Sequence, residues 1–147
     1  MNDRASRHDH YDLARFLEAQ SRNYADAIAE LRAGKKTTHW MWYVFPQIAG
    51  LGSSDYAIRY AIGSRAEAEA YLVHPVLGGR LRECCDALLA HHGRPARDIL
   101  GTPDDLKLRS SATLFDAVAP GDVFGAVLEL YCGGEKDDAT IRLLSGP

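Results

Sequence analysis

His39 stands at the mouth of the most unusual stretch of this sequence, Thr38-His39-Trp40-Met41-Trp42-Tyr43-Val44-Phe45-Pro46-Gln47. Four of the chain's thirteen aromatic residues fall between His39 and Phe45, and a glycine-bearing loop from Gln47 to Ser54 follows. An imidazole titrates near neutral pH and burial moves its pKa, so His39 is the candidate general base of any chemistry here. Trp40 and Trp42 can wall a ligand pocket, with Gln47 and Ser54 offering hydrogen bonds at its rim. The structural alternative makes most of these aromatics core, in which case each buried indole N–H needs an acceptor.

A second constellation is Asp104-Asp105-Leu106-Lys107-Leu108-Arg109-Ser110-Ser111-Ala112-Thr113. On a helix, Lys107 shares a face with Ser111, Asp105 with Arg109, and Ser110 with Thr113. Three hydroxyls within four mid-helix positions are poor for helix propensity, which points to a tertiary hydrogen-bonding task. In the functional reading, Lys107 with Ser110 and Ser111 holds an anionic group. In the structural reading, Asp105 caps the helix and pairs with Arg109 at the surface, worth about 0.3 kcal/mol.

Other chemistries are set aside. The chain has no Gly-x4-Gly-Lys loop, and Gly50-Leu51-Gly52 lacks the third glycine and the preceding strand of a dinucleotide site. Neither His-Glu-x-x-His nor Cys-x-x-Cys occurs. Cys84 and Cys85 are helix neighbours, poorly placed to share a metal or a disulfide. His8, His10, His91 and His92 lie in polar or helix-end contexts and read as solvated pairs. No metal and no cofactor is therefore expected.

The bulk properties narrow the class further. A chain of 147 residues with 46% hydrophobic and 25% charged residues suits one globular domain, able to bury roughly 70% of its unfolded surface. Net charge is −3 and the basic residues are scattered, so a nucleic-acid partner is disfavoured. Three cysteines, an odd number, and a polar start without an apolar leader run suggest a reducing, cytoplasmic location. No run approaches eighteen apolar residues, so no membrane span is expected.

The elements that must position these residues read as helices. Residues 1–11 form a polar tail; residues 12–147 form a single all-α domain, a compact bundle of about seven or eight short helices without significant sheet. Leu13, Phe16, Leu17, Gln20, Tyr24, Ala27, Ile28 and Leu31 recur at helical spacing, with Asp12 as a cap and Gly34 as a stop. The aromatic stretch reads as a short buried helix capped by Thr38 and ended before Pro46. Further helices open at Tyr56, at Ser64 with a capping box, and at His74-Pro75 with the core face Leu77, Leu81, Cys84 or Cys85, and Leu88. Pro95 to Leu100 is a turn or two. Thr102-Pro103 starts a helix carrying Leu106, Leu108, Leu114 and Phe115, Asp122 starts another that stops at Gly133-Gly134, and a last runs from about Asp138 to Leu144.

His39 to Gln47 with Gly50-Leu51-Gly52-Ser53-Ser54, Tyr60-Ala61-Ile62, His74 to Gly78 with Arg80-Leu81, and Asp104 to Leu108 with Ser110-Ser111 and Thr113-Leu114-Phe115 together resemble a bacterial family, domain of unknown function 1810. The resemblance spans Asp12 to Leu144. Thr38, Tyr43 and Ala112 stand where serine, phenylalanine and methionine are commoner. It implies a compact helical fold and no established activity, and it draws attention to His39, Gln47, Lys107 and Ser111 as polar residues within the signature.

The functional expectation is a pocket for a small polar or anionic molecule, which becomes an enzyme site if His39 acts as base. Trp40 or Trp42 would form the wall, Lys107 the counter-charge, and Gln47, Ser54, Ser110 and Ser111 the hydrogen bonds. The rival is a non-catalytic protein–protein interaction module in which the aromatic segment is purely structural; it predicts a continuous exposed apolar patch.

Overall fold

In the computed structural model, which describes residues 9–146, the apolar repeat beginning near Leu13 builds α1 (Ala14–Ala33). Its buried face is Phe16, Ala19, Gln20, Ala27, Ile28 and Leu31. Gly34 ends it at φ 78°, a left-handed conformation that costs glycine little. The cap differs from expectation: Asp12 has φ 55°, and the Asp9 carboxylate accepts the N–H groups of Leu13 and Ala14 instead. Within the expected tail, residues 1–8 lie outside the described residues. Asn23 interrupts α1 with non-helical angles (φ −149°, ψ 19°).

The chain continues as α2 (Met41–Val44), α3 (Asp55–Arg59), α4 (Arg65–Val73), α5 (Leu77–Leu89), α6 (Ala96–Leu100), α7 (Asp104–Val118), α8 (Val123–Cys132) and α9 (Asp138–Ser145). Nine helices thus occur among the described residues, and α2, α3 and α6 are too short for a helical period to show. The fold is all-α. Among the described residues the β pairing consists of an isolated parallel bridge between Ile48 and Ile62. Its two bonds, Ala49 N–H to Ile62 O and Ile62 N–H to Gln47 O, are 2.8 Å each. They pin the loop after α2 to the segment before α4.

Start signals held in part. Ser64 accepts the Glu67 N–H at 3.1 Å, but the Glu67 carboxylate returns to the amide of Gly63 at 2.9 Å rather than to Ser64. Asp122 and Asp137 cap α8 and α9 through their side chains. Thr38 caps nothing, since Trp40 holds the N-cap position of α2. Pro103 occupies the N-cap of α7, and Thr102 donates to the Asp105 carboxylate at 2.8 Å. Pro75 precedes α5, and the amides of Val76, its N-cap, and of Leu77, its first residue, donate to His74 Nδ1 at 3.1 and 3.3 Å.

The core forms where α5 packs against α1, α4 and α8, and α7 packs against α8 and α4. Leu77, Leu81, Leu88 and both Cys84 and Cys85 are buried along α5. Gly78 lets α5 close on the end of α4: a Cβ there would sit 2.0 Å from the Leu72 carbonyl oxygen. On α7 the inward face includes Leu108, Ser111, Ala112 and Phe115, while Leu106 is exposed. Among the described residues no helix is long and apolar enough to cross a membrane.

Candidate functional site

The aromatic segment hangs from one carboxylate. Glu30, near the end of α1, accepts the Thr37 N–H at 2.9 Å, the Thr38 N–H at 3.1 Å, the Thr38 hydroxyl at 2.6 Å and the Trp40 indole N–H at 2.9 Å. Burial pushes its pKa up as the largest single effect. The combined hydrogen bonds from Thr38, Thr37 and Trp40 outweigh it and bring the pKa down to about 2. Trp40 is fully buried, and the Lys36 ammonium lies 5.0 Å from its ring centre. Trp40 is thus core, with its indole partner supplied.

Trp42 has the opposite environment. It is half-buried, and the Lys107 ammonium lies 5.1 Å from its ring centre. Both line a cleft of about 400 Å³ between the 47–54 loop and the start of α7, together with Gln47, Ser54, Ser110 and Asp137. Ser54 is at once the cap of α3, accepting the Ala57 N–H at 3.1 Å. Ser110 donates within 3.3 Å of the Leu106 carbonyl and 3.2 Å of Asp137 Oδ2. Asp137 in turn accepts the Thr140 N–H at 3.1 Å and its hydroxyl at 2.5 Å. Of the residues singled out from the sequence, five therefore meet in this cleft: Trp42, Gln47, Ser54, Lys107 and Ser110. Trp40 and Ser111 are buried and do not line it.

His39 is exposed and lines two neighbouring clefts that share the Trp42 wall. One, of about 340 Å³, also contains Lys36, Thr38 and Asp104. The other, of about 480 Å³, is aromatic. Lys107 lines neither of these two. Asp104 links the regions, since its carboxylate is 2.9 Å from Lys36 Nζ and 3.5 Å from Lys107 Nζ. The Lys36–Asp104 pair is largely buried, so loss of either partner leaves an uncompensated charge.

Several residues escape a reading by motif. Asp104 was legible as a helix-dipole acid but not as the bridge between two lysines. Asp137, one residue before the helix expected from about Asp138, was not singled out by the sequence. Glu30 had an indirect signal, the need of a buried indole for an acceptor, yet nothing in its spacing identified it. Asn23, at the break in α1, donates from Nδ2 to the Tyr43 hydroxyl at 2.6 Å and leaves Oδ1 buried without a partner among the described residues.

Comparison with known proteins adds family and fold. The family model described as protein of unknown function (DUF1810) matches residues 10–144. The chain is also similar to the crystal structure of the conserved hypothetical protein Rv1873 from Mycobacterium tuberculosis, at 50% identity and a TM-score of 0.90. That likeness covers 92% of this chain and 98% of the other. No curated protein matches.

Proposed function

We propose, on the premise that this chain belongs to the DUF1810 family of proteins of unknown function, that it binds a small polar molecule carrying one anionic group in the Lys107 cleft. The supporting observation is the meeting of Lys107 and Trp42, 5.1 Å apart, with Gln47, Ser54 and Ser110 around them. A cleft of about 400 Å³ lies in the range that small ligands occupy. Lys107 supplies attraction to an anion, and the amide and hydroxyls fix its orientation. The Asp137 carboxylate lines the same cleft, and Asp104 already holds Lys107 at 3.5 Å. A ligand with several anionic groups would meet these acids, so a single group held at Lys107 fits better.

Binding is the better-supported activity than catalysis. A general base must reach its proton directly or through one water, and His39 lines the neighbouring clefts rather than this one.

Intrinsic fluorescence tests the reading, because Trp42 lines the cleft and Trp40 is buried. Ribose 5-phosphate and small carboxylates are expected to change the emission of the native chain, to raise its melting temperature, and to leave the emission of Trp42→Phe unchanged. No response to either class at millimolar concentration would sink the proposal.

A protein-interaction reading has one observation in its favour. Val73, 81% exposed, borders an apolar groove with Leu13, Leu17, Ala70 and Pro75. It predicts self-association or partner binding, measured by sedimentation velocity, that Val73→Asp removes.

A further inference from the structure

Beyond the Lys107 cleft, a second cavity of about 480 Å³ is walled by four aromatic side chains, Trp42, Tyr43, Tyr56 and Tyr60, with Asn23 and His39 beside them. The rings follow one another in contact. Trp42 and Tyr56 are 5.0 Å apart by ring centres, Tyr56 and Tyr60 6.2 Å, and Tyr60 and Tyr43 5.2 Å. Core packing accounts for Tyr43 and Tyr60, which are buried, but not for Tyr56, which is 55% exposed. An exposed tyrosine closing an aromatic row leaves a stacking face available.

Asn23 supplies an independent sign. It breaks α1 at φ −149°, and breaks inside helices have local causes rather than arising from general looseness. Its amide bonds the Tyr43 hydroxyl through one atom, and the other, Oδ1, is buried without a partner among the described residues. Whichever way the amide is turned, one of its polar atoms is left over. Orphaned buried polar groups are rare in native proteins and call for an explanation. Oδ1 has no exposed surface, so a ligand meets it only once the Asn23 side chain turns towards the cavity it lines.

Charge then selects the ligand class. Rows of aromatic faces attract cations, but a cation here would meet Arg22, which lines the cavity, and Arg59, whose guanidinium sits 5.6 Å from the Tyr60 ring centre. Glu18 pairs with Arg22 at 2.9 Å but does not itself line the cavity, and no carboxylate among the lining residues faces a bound cation. We propose that the cavity binds a planar, uncharged nitrogen heterocycle of the nucleobase type, stacked on Tyr56 and abutting the Trp42 ring, which is tilted 59° from it, with its polar edge towards the Asn23 amide. Base stacking on aromatic side chains tolerates the identity of the base, because every base has a π-face. The proposal does not rest on the Lys107 cleft and requires no anionic group.

The test is an NMR titration of the full chain with adenosine, which carries no phosphate, and in parallel with choline and ribose 5-phosphate. Adenosine is expected to shift the Trp42 indole and Asn23 side-chain amide resonances, and choline to leave them in place. Tyr56→Ala removes an exposed side chain and should leave the fold intact while weakening adenosine roughly tenfold, the loss of one stacking face. Choline shifting these resonances where adenosine does not would replace the proposal with a cation cage. Silence from adenosine at millimolar concentration, or undiminished binding by Tyr56→Ala, would overturn it. Ribose 5-phosphate is read separately at Gln47 and Ser110, so failure of the Lys107 cleft leaves this result standing, and the reverse.

Discussion

The Trp40 indole N–H donates to Glu30 Oε1 at 2.9 Å, and this bond ties the last turn of α1 to the buried centre of the aromatic segment. The same carboxylate holds the two residues on which the chain turns into that segment, Thr37 and Thr38. Charged acceptors make stronger hydrogen bonds than neutral ones, so the arrangement depends on ionised Glu30.

Replacing Glu30 therefore has a pH-dependent cost. Glu30→Gln keeps the shape, loses the charge, and should destabilise the chain at pH 7 by about 1–2 kcal/mol. The folded pKa of about 2 lies below the ordinary carboxylate value, which is about 4.3 for an unfolded chain. The stabilisation is then fully present above about pH 4.3 and is lost as pH falls through 2. Urea unfolding at pH 7, 5, 4 and 3 should show the native chain and Glu30→Gln converging as pH falls. A constant gap would mean that shape, not charge, carries the contact.

How far the sequence could be read follows from the same residues. The long period of α1 and the capping acid Asp122 of α8 are local signals, and they located those helices. The two tryptophans had no such separation. Trp40 caps α2 with non-helical angles and Trp42 lies within it, so helical spacing could not say which of the two faces inward. Which one faces inward is decided by Glu30, ten residues before Trp40 and reached only because Gly34 turns the chain at φ 78°. The approach of Lys107 to Trp42 depends on how α7 docks, a long-range fact without a local mark. Ser111 shows the limit of helical faces: it shares one with Lys107 at four-residue spacing, yet it is 1% exposed and turned to the core.

Gly78 should tolerate no side chain. The Cβ of alanine would lie 2.0 Å from the Leu72 carbonyl oxygen and 2.8 Å from its carbonyl carbon, backbone atoms that cannot swing aside. Gly78→Ala gains helix propensity of about 1 kcal/mol but must push α5 from α4. Overpacking of this kind costs about 1–3 kcal/mol, so a net loss is expected by thermal or urea unfolding. An unchanged or raised midpoint would show that the two helices can separate freely.

The thiols should divide by burial. Burial pushes the Cys84 thiol up to about 12 and Cys85 well above its usual value, and it raises half-buried Cys132 as well. A raised thiol is neutral in the fold, so the associated stability is present below the unfolded value of about 8.5 and is lost as pH rises towards about 12. An aromatic disulfide reagent at pH 8 should modify Cys132 first, and Cys84 and Cys85 only after denaturant is added. Rapid native labelling of all three would mean that α5 opens readily.

Lys107→Met separates the two roles available to that lysine. Its ammonium over Trp42 and its 3.5 Å approach to Asp104 are partly exposed contacts, and such contacts contribute little to stability. Methionine keeps most of the stem that covers the ring. Unfolding should therefore shift by less than about 1 kcal/mol, because Asp104 retains Lys36 at 2.9 Å. Binding of ribose 5-phosphate, followed by Trp42 fluorescence, should by contrast weaken roughly tenfold, since a charge-assisted contact is lost and Asp137 remains in the cleft. A large stability loss with binding unaltered would assign Lys107 to the scaffold and leave the anion without its counter-charge.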